Sequence, residues 1–232
     1  MKRILITGAN RGIGLEFTRQ LLQRGERVFA ARRNPIDNPA LDKLQAEFPE
    51  QLSVHDLDVR NEEQINALAS SLAEQTETLD WLINGAAIYP KGEGLGHLES
   101  ASMLDTLHTN TIAPMLVSQA FVKLLSNGDE SKIINISSRM GSIAQVSGAG
   151  SYSYRASKSG LNMYSKVLAN DLHSQGISVL IIHPGWVKTD MGGTGASLSP
   201  EHSVESMLKV IEDFTLADTG RILQWDGEEL PW

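Results

Sequence analysis

Short apolar runs separated by helical stretches recur along the whole chain, and this alternation limits the possible folds more than any other feature. Seven runs rich in β-branched residues lie at positions 3–7, 27–31, 52–57, 80–83, 132–136, 177–182 and 221–225, each flanked by turn residues. Runs that are apolar throughout read as strands covered on both faces, the condition of a parallel sheet. Between them apolar residues return at helical spacing. One stripe is Ile13, Phe17, Leu21 and Leu22; a second is Ile65, Leu68 and Leu72; a third is Leu161, Tyr164, Val167, Leu168 and Leu172. Such alternation over 232 residues predicts repeated βαβ units. The expected fold is a single α/β domain spanning 1–232, doubly wound, with a mainly parallel sheet and helices on both faces.

Composition excludes several function classes. Acidic residues outnumber basic ones 28 to 20, for a net charge of −8, the reverse of what a phosphate-tracking nucleic-acid binder needs. There is no cysteine, so thiol catalysis, disulfides and Cys-type zinc sites are impossible. The six histidines form neither H-x-x-x-H nor H-E-x-x-H, and no metal site is expected. No apolar run reaches the roughly 18 residues of a membrane span. Arg11 comes too early for a signal-peptide core. The expectation is a cytoplasmic protein without nucleic-acid or membrane partners.

The first predicted strand runs straight into Thr7-Gly8-Ala9-Asn10-Arg11-Gly12-Ile13-Gly14, and a helix follows. Gly8 permits a tight turn, Gly12 lets backbone approach a pyrophosphate, and Gly14 lets helix and strand pack closely. Free N–H groups at a helix start then face the anion. A glycine-rich turn without a ligand is the plainer alternative. The second predicted strand ends in alanines followed by Arg32 and Arg33. An NAD site wants an acidic residue there, to bond the ribose 2′-hydroxyl. Two guanidiniums, with Arg11 as a third, suit a 2′-phosphate instead. The spacing therefore favours NADP(H) over NAD(H). Solvated loop charges are the competing reading. Two glycine-rich loops, 89–96 and 191–200, are expected at the same carboxyl edge of the sheet, where they can order over a ligand.

Tyr154 and Lys158 stand four apart, on one face of a predicted helix. A phenol exchanges protons poorly at neutral pH, and a neighbouring ammonium is expected to lower its pKa. Tyr154 would then deliver a proton to a carbonyl oxygen as hydride reaches the carbon, with Lys158 tuning it and holding a nicotinamide ribose. The strand 132–136 ends in Ser137 and Ser138, and the Ser138 hydroxyl can polarise the same carbonyl.

These pieces resemble, over essentially the whole length, the short-chain dehydrogenase/reductase family. The matching segments are TGANRGIG, LDV at 57–59, LING at 82–85, HTN at 108–110, NISS at 135–138, YRASK at 154–158 and HPGWVKT at 183–189. Within the family, HPGWVKTDMGG and the ending DGEELPW are similar to the C-factor and sniffer group of carbonyl reductases. The resemblance implies NAD(P)-dependent hydride transfer between a carbonyl and an alcohol. Its catalytic residues would be Asn110 (a helix-kink residue completing a proton relay), Ser138, Tyr154 and Lys158. It also implies cofactor contacts from Gly8, Asn10, Arg11, Gly12, Ile13 and Gly14, and from Asp58 and Val59 at the adenine. Asn84 and Ala86 would lie along the adenosine ribose, and Pro184, Gly185, Val187 and Thr189 around the nicotinamide amide. Arg32 is the expected 2′-phosphate ligand. The family's Asn-Asn-Ala-Gly is here Asn84-Gly85-Ala86-Ala87, so Ala87 adds a methyl where backbone normally nears the cofactor. A homodimer or homotetramer is implied, formed through helices around 102–125 and 151–172. Competing readings are an NAD-dependent alcohol dehydrogenase of the same fold and an NADPH-binding regulator with little turnover.

Overall fold

The computed structural model describes residues 1–33 and 39–232. The strands are β1 (Arg3–Thr7), β2 (Arg27–Arg32), β3 (Leu52–Asp56), β4 (Trp81–Asn84), β5 (Lys132–Ile136), β6 (Ser178–His183) and β7 (Ile222–Gln224). They pair in parallel, in the order β3-β2-β1-β4-β5-β6-β7. The helices are α1 (Gly12–Gln23), α2 (Pro39–Glu47), α3 (Glu62–Gln75), α4 (Ser100–Leu107), α5 (Ala113–Ser126), α6 (Tyr152–Leu172) and α7 (Pro200–Asp213), with a π-helical turn, His108–Ile112, joining α4 to α5. The predicted strands and their parallel pairing are borne out.

Strand residues alternate between two apolar layers, as the pleat requires. Ile4 and Ile6 of β1 join Phe17, Leu21, Leu22, Met207 and Ile211 from α1 and α7. Leu5, between them, joins Ile65, Leu72, Phe121 and Leu125 from α3 and α5 on the opposite face. Each such side chain contributes about 1.5–3 kcal/mol by leaving water. Lys132, buried at the start of β5, extends its ammonium to the carbonyls of Ile211 (2.7 Å) and Glu212 (3.3 Å) at the end of α7. Lysine in that place satisfies carbonyls that the helix leaves unpaired.

The third stripe is only partly borne out. Leu161 and Leu172 are buried, but Tyr164 and Val167 are 47% and 50% exposed. The covered face of α6 carries Asn162 and Ser165 instead. Asn162 accepts from the Ser137 hydroxyl, and Ser165 accepts from Asn135 Nδ2 (2.8 Å). Polar groups tolerate that burial because each has a partner.

The strand order reverses direction between β1 and β4, so the loops leaving their carboxyl ends diverge to opposite faces. The crevice that opens there is where ligands bind in such sheets.

Candidate active site

That crevice is a cleft of about 440 Å³. Its floor is the turn between β1 and α1: Gly8, Asn10, Arg11, Gly12, Ile13 and Gly14 all line it. The turn admits no side chain at two places. A Cβ on Gly14 would sit 2.3 Å from the Gly8 carbonyl oxygen, and one on Gly8, at φ +69°, would sit 2.8 Å from Ala86 Cα. Thr7 Oγ1 accepts from the N–H groups of Gly85 (3.2 Å) and Ala86 (3.3 Å), tying the two strand ends together. No side chain caps α1 at Arg11, so the helix start offers its N–H groups to a ligand. Bare backbone, an uncapped helix and flanking guanidiniums fit the pyrophosphate of a dinucleotide.

One side wall comes from the segment after β3. Asp58 and Val59 line it, as does Arg60. Arg60 clasps Asp58 (Nη2 to Oδ2, 2.7 Å), and that bond holds the Asp58 carboxyl below the usual carboxylate range. Arg60 was missed in the sequence, although it directly follows the LDV segment. Ala86 and Ala87 form the other wall with Ile88, and Pro184 and Thr189 reach the cleft from the loop after β6.

Four expected cofactor contacts are placed differently. Arg32 does not line the cleft; Asp42 (3.1 Å) and Asp56 (3.4 Å) hold it, and Arg33 lines the cleft in its place. Arg32 is the last residue of β2, and Arg33 lies in the bend beyond the strand. The Asn84 side chain is buried between strands and helix, donating to Asn135 Oδ1 (2.8 Å) and Ser118 (3.2 Å). Gly185 and Val187 also stand outside the cleft lining. Gly185 packs against Leu198 and Trp225, while Val187 bridges to Leu198.

Tyr154 and Lys158 project from the first turns of α6 into the cleft, with Ser137 from the end of β5. Ser138, the next residue, is not part of the lining; its hydroxyl accepts the Met140 N–H (3.1 Å) and lies near enough to the Tyr154 phenol to favour its ionised form. Lys158 Nζ lies 5.7 Å from the Tyr154 ring centroid and donates to the Ile136 carbonyl (2.8 Å). The expected lowering of the phenol pKa is not found. Burial pushes Tyr154 up to about 12, against the opposing influence of nearby Ser138, and burial pushes Lys158 down to about 8. The ammonium points at a carbonyl rather than at the hydroxyl, so desolvation outweighs the neighbour. Asn110 is fully buried in the π-helical turn. It accepts from the Ile88 N–H (2.8 Å), donates to the Ile88 carbonyl (2.8 Å) and donates to Ser157 (3.1 Å). Among the described residues, no group of His, Asp or Glu is placed to hold a metal ion, and no helix is long and apolar enough to cross a membrane.

Comparison with known proteins agrees with this geometry. Residues 2–197 match the short-chain dehydrogenase family. The chain belongs to the short-chain dehydrogenase/reductase family. It is similar to the NADPH-bound carbonyl reductase from chicken fatty liver, with 37% identity and a TM-score of 0.94 over 100% of this chain and 99% of that one. The Drosophila melanogaster carbonyl reductase Sniffer is 34% identical, with a TM-score of 0.96 and full coverage of both chains. The C-signal protein of Myxococcus xanthus is 38% identical over 157 residues, 68% of this chain and 95% of its own. As a member of this family the protein is an oxidoreductase, and the C-factor and sniffer resemblance holds.

Proposed function

We propose that the protein is an NADPH-dependent reductase of small carbonyl compounds, with Tyr154 as the acid/base. The observation that carries this reading is the placement of a buried phenol, near Ser138 and beside Lys158, in the cleft that the glycine turn opens. Bound NADPH would supply the hydride. The backbone from Gly8 to Gly14 would hold its pyrophosphate, Arg11 and Arg33 its 2′-phosphate, and Pro184 and Thr189 the region of the nicotinamide amide. Ser138 would hold the carbonyl oxygen. Tyr154 would give its proton to that oxygen, and a pKa near 12 keeps the phenol protonated throughout the neutral range. An alkoxide is more basic than a phenolate, so the transfer runs downhill from Tyr154. The phenol would regain its proton from water entering the cleft; Asn110 and Ser157, whose bonds lead to the Tyr154 backbone carbonyl, would hold the helix that carries it.

The test is a screen of aldehydes, ketones and quinones followed by NADPH absorbance, with dissociation constants for both coenzymes. NADPH is expected to bind more tightly than NADH, and replacing Arg33 with Ala to narrow the gap. Tighter NADH binding would transfer the assignment to an NAD-dependent alcohol dehydrogenase. Tyr154→Phe is expected to bind NADPH within about threefold of the parent yet lose at least about 100-fold in turnover. The likeness to the C-signal protein supports a second reading, an NADPH-binding regulator; a cellular role that survives Tyr154→Phe would favour it. We also infer a homodimer or homotetramer, supported by apolar side chains left exposed on α4 and α6.

A further inference from the structure

The loop that follows β4 wraps the first turn of the helix carrying Tyr154. Asn110 grips its start at Ile88 as a neighbouring strand would. One residue on, the Tyr89 ring stands edge-on to Tyr154, with centroids 4.8 Å apart at 89°, and its hydroxyl lies 2.8 Å from that of Ser151. Further along, the Glu93 carboxylate accepts the backbone N–H of Ser153 (2.9 Å) and the Ser153 hydroxyl, while the Glu93 carbonyl accepts the N–H of Ser151 (3.3 Å).

Helix α6 requires an outside partner at this point. Its N-cap residue, Ser151, sits in the left-handed region (φ 53°, ψ 39°) and makes no capping bond of its own, its hydroxyl being turned to Tyr89. The first N–H groups of any helix lack intrahelical acceptors, and an N-cap side chain normally supplies one. Here the acceptor comes from a residue 60 positions away, and it carries the charge that a helix N-terminus favours. Tyr154 directly follows Ser153. Whatever fixes the Ser153 N–H therefore fixes the base of the phenol.

We propose that Glu93 is a positioning residue for the reaction: it caps α6 in place of the helix's own N-cap side chain and so seats the 88–93 loop and Tyr154 as one unit. The inference rests on the reading of Tyr154 as the acid/base, and one arm of its test is independent of turnover.

The experiment compares Glu93→Ala and Glu93→Gln with the parent full-length chain. Hydrogen exchange of the ligand-free protein over residues 151–158 is the first readout. Glu93→Ala should exchange there roughly tenfold faster, with α1 and β1 unchanged; Glu93→Gln, which keeps an oxygen acceptor, should stay near the parent. The second readout is kcat, KM and the NADPH dissociation constant with an aromatic aldehyde. Glu93→Ala should lose roughly tenfold in kcat with NADPH affinity within twofold, and Glu93→Gln should recover most of the loss. Unchanged exchange in Glu93→Ala overturns the proposal. So does a kcat within twofold of the parent, or a loss that both variants share together with weakened NADPH binding. Should Glu93→Ala fail to fold, Ser153→Ala takes its place in both readouts, with a smaller shift expected because the N–H bond remains. A parent without carbonyl reductase activity would sink the functional reading alone, since the exchange readout still decides whether Glu93 caps the helix.

Discussion

His183 ends β6 with its ring inside the protein and Nδ1 without a hydrogen-bond partner. Burial pushes its pKa down to about 4, the Arg139 charge adds to this, and Asp226 opposes it. The folded chain therefore resists protonating this ring, whereas the unfolded chain protonates it near 6.5. Stability from this group is complete above about pH 6.5 and is lost as the pH falls toward 4. At about 1.4 kcal/mol per unit, the loss by pH 4.5 is about 2–3 kcal/mol. Urea unfolding at pH 7 and at pH 4.5 measures it directly. His183→Gln should lose less stability between those two pH values than the parent does. Equal losses would show that other groups carry the acid sensitivity. The same desolvation acts on Tyr154 and Lys158, and in both cases it moves the group toward its neutral form. A helical spacing of four told correctly that the two share one face of a helix, but not that burial would dominate their proton affinities. That balance depends on how much of the chain lies above them, which a spacing does not contain.

At the scale of elements, the π-helical turn between α4 and α5 is the least regular feature and serves the site most directly. One extra residue in a helical turn re-aims a side chain, and here Asn110 reaches both backbone groups of Ile88 and the Ser157 hydroxyl. Asn110→Ala would leave the Ile88 N–H and carbonyl without their partners in a half-buried place. The expected cost is about 2–3 kcal/mol, read as a lower urea midpoint, together with faster hydrogen exchange over 88–93. A midpoint within experimental error of the parent would show that water replaces the asparagine. Strands were legible in the sequence to within a residue or two, because a sheet covered on both faces leaves uninterrupted apolar runs; the limits 132–136 coincide with β5. The glycine turn was legible for a similar reason, since its backbone tolerates no Cβ at Gly8 or Gly14. The side-chain directions of Arg32, Asn84 and Asn162 were not. Each is decided by a partner far along the chain: Asp56 for Arg32, Asn135 for Asn84 and Ser137 for Asn162. Glu93 left no signal for the same reason, because its partner Ser153 lies 60 residues on.

For the whole molecule, the apolar residues that its own core does not use pose the remaining question. Leu104 on α4 and Met163, Tyr164 and Val167 on α6 are all exposed, and α4 packs against α6. Scattered exposed apolar residues are ordinary, whereas several on two adjoining helices suggest a covered surface. A specific interface buries about 1,200–2,000 Å² in total. The net charge of −8 sets copies against one another at long range, so association must come from the apolar contact and should strengthen as salt screens the repulsion. Sedimentation velocity should therefore show a particle of two or four times 25.3 kDa, more fully assembled at 0.5 M salt than at 0.02 M. Combining Tyr164→Glu with Val167→Glu should yield a single-chain particle with an unchanged helical spectrum and unchanged NADPH affinity, because neither side chain reaches the cleft. A parent that sediments as one chain at every salt concentration would end the argument, and these side chains would then be surface residues without a partner.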